Sequence, residues 1–464
     1  MEPIICMWKN ELSQELRENT EKSVNSKSEL SVGLYDLSQK FSIAWEDRNT
    51  SEILQTIQSI KQICDITNYH ENHIINRKID VLISHETFYP VILNILRQTL
   101  DINAPQAIAI EALSILDEIS TKLIFDKENV KNFVISLYSF IKNRSIPQII
   151  EYCLHILYIF SKRGGIYSAA VKDHLFFTDF LVFLAEYENK RSPVLLLTSF
   201  TSFNIDIVNM QRFIEVITNV EFDEYHRLKL LTWFFSVEPT SYKYVHPNII
   251  LPYISSNIQS ENQKNQKIAM NCLSTLLKSS KVFFEFDYSI VFANVVSLNS
   301  KTSISALNCL SLVARIGKVE GVKILISFGI GSLIIQMLGE NRPLQVQKSC
   351  AKCICYCILN CERDDIPLFL NTKLMEILIN MLELDDLEFI TILYKAFETL
   401  AGNPNGDLEN QVSIFFYDTF QEFDGWDMVT EMMNKEETAD IPLANLATKF
   451  YHNYNHDPIE LPDF

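Results

Sequence analysis

The chain has 464 residues, enough for about three ordinary domains, or for one body if a repeat runs through it. A composition of 47% hydrophobic and 21% charged residues supplies a large core and excludes a disordered chain, while 11 Gly and 14 Pro exclude hairpin-dense β architectures and collagen-like sequence. The net charge of −18 is uneven: residues 362–464 hold 22 Asp/Glu against 5 Lys/Arg, which leaves 36 against 35 before them.

Such a field repels nucleic acid and anionic lipid. It either concentrates basic partners or simply keeps an elongated apolar protein in solution. The longest uncharged runs, Tyr244–Ser260 and Ile324–Gly339, fall short of about 18 residues and carry Pro, His, Gly or Ser, so no membrane span is expected. The start, MEPIICMWKNEL, has neither a basic region nor an apolar core, so no secretory signal is expected. The 10 cysteines lack framework spacing and read as reduced thiols, which points to cytosol or nucleus.

In chain order, residues 1–84 read as an irregular helical cap with helices near 28–41 and 49–66. From 88 to 454 apolar residues recur at three- and four-residue spacing, and a shorter helix is followed each time by a longer, more apolar one. The shorter helices are expected near 88–100, 131–143, 176–188, 209–220, 247–260, 288–299, 329–340, 372–384 and 424–436. The longer ones are expected near 105–123, 146–163, 192–203, 224–237, 264–280, 301–317, 343–361, 386–402 and 439–454. Pro105, Pro147, Pro193, Pro343 and Pro442 fall in first turns of longer helices, where a missing N–H costs nothing. Short extra helices, Glu320–Ser327 and Asp364–Leu370, precede two couplets. Residues 456–464 read as a short tail.

A small residue marks the centre of each longer helix: Ala112, Cys153, Cys272, Cys309, Cys353 and Ala396. With two further repeats fitting between Cys153 and Cys272, seven steps over 284 residues give a period of about 41, within the range of helical solenoids. A couplet cannot cover its own apolar face, so about nine copies over 85–455 stack into one continuous core. The expected class is all-α, a solenoid of stacked helical repeats.

The segment FGIGSLIIQML (Phe328–Leu338), with a Gly turning sharply into an apolar helix, resembles the second helix of an armadillo repeat, as does LPYISSNI around Pro252. The last couplet, Gly425–Tyr454, resembles the closing repeat of importin-α-type adaptors, and TWFFSVEP followed by LPYI resembles their central repeats. The resemblance implies a right-handed armadillo superhelix and a non-catalytic adaptor. It also implies a concave groove on the longest helices where a Trp, and an Asn four residues on, hold an extended basic peptide.

In that register the Trp position holds Glu111, Tyr152, Trp233, Asn271, Asn308, Lys352 and Lys395, and the Asn position holds Ile115, Ile156, Val237, Thr275, Leu312, Tyr356 and Thr399. No complete pair survives, and an amide offers a backbone both donor and acceptor where Ile, Val and Leu offer neither. Asn271 and Asn308 either form a shorter ladder of their own or are solvated residues without a role. The basic arm that such adaptors present to an importin-β-like carrier is absent, since the first 30 residues carry 4 Lys/Arg and 6 Glu.

The run Cys350, Cys353, Cys355, Cys357, Cys361 lies on one helix, which does not converge tetrahedrally on zinc, and reads as small apolar thiols at a tight contact. The pairs His70/His73 and His452/His456 lack partners in register. No P-loop, GxGxxG, GxSxG or HExxH is present. Neither cofactor nor metal is therefore expected, and no catalytic residue is assigned. The Phe residues sit at core spacing, without the basic groove of a single-strand binder. The leading reading is a protein-binding adaptor whose concave groove and acidic C-terminal third hold an extended basic segment. The alternative is a structural or regulatory armadillo scaffold without transport activity.

Overall fold

A computed structural model describes residues 36–65, 88–121, 125–143, 145–175, 177–201, 205–245, 247–340, 342–402, 411–434 and 441–455. All regular structure among these residues is helical, in two compact units, 1–203 and 204–464.

Unit 1 contains α1 (36–46), α2 (Thr50–Asp65), α3 (Phe88–Thr99), α4 (Gln106–Ile119), α5 (Lys127–Lys142), α6 (Pro147–Arg163), α7 (Gly165–His174), α8 (Phe177–Glu186) and α9 (Arg191–Leu197). Helices α2, α4, α6 and α9 pack side by side in that order, with α3 on α4 and with α5 and α7 on α6. Regular stacking thus begins with α2, well before residue 85, because Ile53, Ile57 and Ile60 give α2 a buried stripe of its own.

Unit 2 contains α10 (Ile207–Asn219), α11 (Glu224–Val237), α12 (Pro247–Ile258), α13 (Gln263–Ser280), α14 (Ser300–Ser327), α15 (Ile330–Gly339), α16 (Leu344–Asn360), α17 (Thr372–Asn380), α18 (Leu387–Ala401), α19 (Gln411–Glu422), α20 (Gly425–Met433) and α21 (Ile441–Tyr454). Here α11, α13, α14, α16, α18 and α21 form the stack, and α12, α15 and α20 each pack on the long helix that follows them.

The boundaries follow from local chemistry. Asp126, Asp206, Asp223, Asn262, Asn299, Asn371 and Asp386 each accept a backbone N–H in the first turn, a cap worth about 1 kcal/mol. Pro147 opens α6, and Pro105 and Pro343 stand one residue before α4 and α16. The small residues used to measure the repeat, Ala112, Cys153, Cys272, Cys309, Cys353 and Ala396, are fully buried, which lets neighbouring long helices approach closely.

Some elements differ from expectation. The helix expected at 288–299 is a single turn, Ser289–Phe292, because i→i+3 bonds at Val291, Asn294 and Val295 tighten the chain there. The helix expected at 192–203 stops at Leu197, where the Thr198 and Ser199 hydroxyls donate back to the carbonyls of Val194 and Leu196. The expected 301–317 and 320–327 helices meet at Lys318 (φ 50°, ψ −134°) inside α14. Gly321 permits the fold-back, since an added Cβ would collide with the Val313 carbonyl oxygen. Gly329 (φ 78°) makes the sharp turn into α15 that its sequence predicts. Helices α7 and α19 had no counterpart among the expected elements. Residues 28–35, the 66–84 part of the expected cap and the 456–464 tail lie outside the described residues.

Candidate functional site

The inner long helices of unit 2, α13, α14, α16 and α18, are each flanked by two neighbours in the stack and pack against a shorter helix, and on each of them one ridge of residues stays partly or fully exposed. On α13 this ridge runs through Lys267, Asn271, Thr275 and Lys278, on α14 through Ile304, Asn308, Leu312 and Arg315, on α16 through Lys348, Lys352 and Tyr356, and on α18 through Thr391, Lys395 and Thr399. The spacing of three to four residues is that of one helix face. We call these aligned ridges the ladder face.

Contacts between adjacent ridges tie them into one surface. The Arg315 guanidinium lies over the Tyr356 ring, 5.9 Å from its centroid, and Lys352 Nζ reaches Glu388 Oε1 across the α16–α18 step at 2.8 Å. Lys348 pairs with Asp386, the carboxylate that also caps α18 through the Phe389 N–H. The hydrogen bond from Lys352 holds the Glu388 carboxyl below its usual range, and the more distant charge of Lys278, on α13, acts in the same direction. Lys348 does the same for Asp386, helped by the Phe389 backbone N–H.

The candidates in unit 2 therefore mostly come together. Asn271, Thr275, Asn308, Lys352, Lys395 and Thr399 share the ladder face. The Thr275 and Thr399 hydroxyls donate to the carbonyls one turn back, at Asn271 and Lys395, and keep lone pairs to accept with. The amides of Asn271 and Asn308 have no hydrogen-bond partner among the described residues. Both are therefore available to a ligand.

Trp233 is a correction. It is 5% exposed and packs edge-on against Phe213 of α10 with ring centroids 5.8 Å apart, so it belongs to the core. The register assumed for α11 is one residue late. Counted from the N-caps Asp223 and Asn262, Trp233 takes the position that Cys272 has in α13, and Thr232 takes that of Asn271. Three adjacent large apolar residues, Trp233, Phe234 and Phe235, all buried, hide that offset from the sequence.

Glu111 and Tyr152 lie in unit 1, on α4 and α6. Glu111 pairs with Lys61 of α2 at 3.4 Å, and the residues four on, Ile115 and Ile156, are buried. Polar groups of unit 1 are spent on neighbouring helices. His155 Nδ1 lies 2.6 Å from Asp117, and Glu151 accepts from the Tyr187 hydroxyl at 2.6 Å, Asn189 at 2.9 Å and Ser192 at 2.5 Å.

The acidic field of the C-terminal third, expected to help hold a basic segment, is distributed unevenly between the faces of the repeats. The acids of the C-terminal third that the structure describes lie mainly off the ladder face, on shorter helices and turns: Asp364, Asp365, Glu376, Glu383, Asp385, Asp418, Glu422, Asp427 and Glu431. The long helices α13, α14 and α16 carry cations on this face, while α18 carries Glu388 and Glu398 beside Lys395. Charge summed over a length of chain cannot separate two faces of one repeat. Summing it by helix position would have found Lys267, Lys278, Arg315 and Lys348.

The cysteine run is buried except for Cys361, which is partly exposed. Burial pushes the Cys272, Cys309 and Cys350 thiols up to about 12, so they are held protonated. Among the described residues no group of three or more His, Cys, Asp or Glu side chains converges as a metal site, and no single helix is long and apolar enough to cross a membrane. His70, His73 and His456 lie outside the described residues.

In three-dimensional comparison an engineered protein of solved structure matches with a TM-score of 0.59 at 13% identity, over 91% of this chain and 99% of that one. The fold is an all-α solenoid of stacked helical repeats. A designed armadillo repeat protein in complex with the peptide (KR)4 and a second designed armadillo repeat protein each match over 52% of this chain and 99% of their own, with a TM-score of 0.40 and 13% identity. No protein-family model and no curated protein matches the sequence.

Proposed function

We propose that this solenoid is a non-catalytic docking scaffold whose ladder face in unit 2 takes an extended segment of a protein partner. The carrying observation is the pair of unengaged amides, Asn271 and Asn308, in one register on adjacent helices. A primary amide can donate to and accept from a peptide backbone at once, which suits a segment that brings no structure of its own. The buried, protonated cysteines supply no nucleophile, and the reading assigns no chemistry to the chain.

The direct test screens displayed ten-residue segments of mixed composition against the full chain and against Asn271→Ala/Asn308→Ala. Segments whose binding weakens about tenfold or more, the loss of two buried hydrogen bonds, support the reading. Equal binding of every recovered segment to both proteins refutes it.

An importin-α-type transport role is the narrower form of this proposal. It rests on the likeness of Gly425–Tyr454, whose helices α20 and α21 do pack together, and it would place the protein in cytoplasm and nucleus. The incomplete ladder favours the other form, a structural or regulatory scaffold without transport. Shuttling and co-purification with a β-type carrier would decide for transport. Stable residence in one assembly would decide against it.

A further inference from the structure

We infer that the segment held by the ladder face is acidic: an extended stretch of a protein partner with Asp or Glu spaced along it. The inference rests on the docking reading above and adds the chemistry of the ligand. Six cations, Lys267, Lys278, Arg315, Lys348, Lys352 and Lys395, stand on the ridges of four consecutive stack members. Only two of them are consumed by carboxylates, Lys348 by Asp386 and Lys352 by Glu388. Lys267, Lys278 and Lys395 make no ion pair among the described residues, and Arg315 is turned onto the Tyr356 ring. A basic segment would meet these charges head-on, at a cost that like-charge juxtaposition makes large. An acidic segment would neutralise them while its backbone meets the Asn271 and Asn308 amides.

The dimensions are consistent with an extended ligand. Packed helices lie about 8–10 Å apart, and an extended chain advances about 3.3 Å per residue, so each step of the stack spans two to three ligand residues. Four ridges therefore take a segment of about eight to ten residues, with one acid per two or three positions. Lysine ammoniums are point charges without the planar fork that reads phosphate in two places, and five of the six cations are lysines, which favours carboxylates over phosphates. The chain as a whole carries −18, and in the C-terminal third most of the described acids lie on the shorter helices and turns. A long polyanion such as nucleic acid would run into that field beyond the groove, whereas a short segment stays on the cationic ridges.

The test uses the full chain and three ten-residue peptide pools of one design, with every third position Asp/Glu, Asn/Gln or Lys/Arg, together with a deoxythymidine decamer. The acidic pool should bind at least tenfold tighter than the neutral pool. It should weaken steadily between 50 and 500 mM salt, a range of about two to three times in Debye length. Lys267→Glu/Lys278→Glu/Lys395→Glu should abolish the acidic preference. The milder Lys→Gln triple variant, which removes the three charges without reversing them, should reduce it about tenfold, with helical circular dichroism reporting the fold of each. If neutral and acidic pools bind alike and both depend on Asn271 and Asn308, docking stands and the acidic assignment is overturned. Preference for the basic pool, or for the deoxythymidine decamer through the same lysines, overturns it as well. Failure of every pool to bind overturns both readings.

Discussion

The two units of this solenoid use the same stacked long helices to opposite ends. In unit 1 Glu111, on a ladder position, pairs with Lys61, Ile115 and Ile156 one turn on are buried, and the neighbouring acids Asp117 and Glu151 are engaged by His155 and by three donors. In unit 2 the equivalent positions hold Asn271, Asn308 and Lys395, which the rest of the described chain leaves alone, and Lys352, which pairs with Glu388. A shared backbone architecture thus yields cohesion where polar groups find partners on the next helix, and a receptive surface where they do not. The difference lies in side chains at two or three positions per repeat.

The largest effect separates ladder from core within one helix turn. Trp233→Ala should cost about 3–5 kcal/mol, the range for emptying a buried aromatic site, because the indole is enclosed against Phe213. Its neighbour Thr232→Ala should stay within about 0.5 kcal/mol of wild type, as half-exposed surface changes do. Urea unfolding midpoints at constant m-value measure both. Similar losses for the two variants would put the register of α11 back in question and shorten the open ladder.

A smaller contrast compares the same substitution in the two units. Ile156→Asn introduces an amide at a fully buried site and should destabilise by about 3 kcal/mol, combining lost apolar contact with an unpaired polar group. Leu312→Asn, at the matching but partly exposed position of α14, should cost about 1 kcal/mol or less. That variant also extends the amide ladder, so tighter binding of extended segments is the expected gain. Equal destabilisation would show that unit 2 is as closed as unit 1.

Most of the helical framework was legible in the sequence, because a buried small residue in six of the long helices and a cap or proline at many of the starts are local signals that packing reinforces. Cys272, Cys309 and Cys353 report the period directly. What was not legible depends on three dimensions. The fold-back at Lys318 and the helix at Gln411–Glu422 follow from how turns pack, and Trp233 was misassigned because three large apolar residues in a row obscure which one faces inward. The cationic ladder was hidden for another reason: Lys352 and Lys395 were visible as candidates, but the acidic total of their region outweighed them when faces were not separated.

The smallest effect probes the closed unit. The hydrogen bond that the imidazole donates to the Asp117 carboxylate raises His155 above its ordinary value, against a lesser opposing effect of burial. A histidine with a raised folded-state value binds its proton more tightly in the native chain. Its contribution is therefore fully present below about pH 6.5, the unfolded value, and is lost as pH rises through the folded one. The pair is half exposed, so solvent and salt screen it and the whole effect should stay below about 1 kcal/mol. The melting temperature of the wild type should exceed that of His155→Gln at pH 5.5, and the gap should close by pH 8.5 and shrink in 0.5 M salt, where the Debye length is about 4 Å. A gap that is constant across this range would mean that His155 joins α6 to α4 by packing and neutral hydrogen bonding alone, and that the cohesion of unit 1 owes nothing to charge at this step.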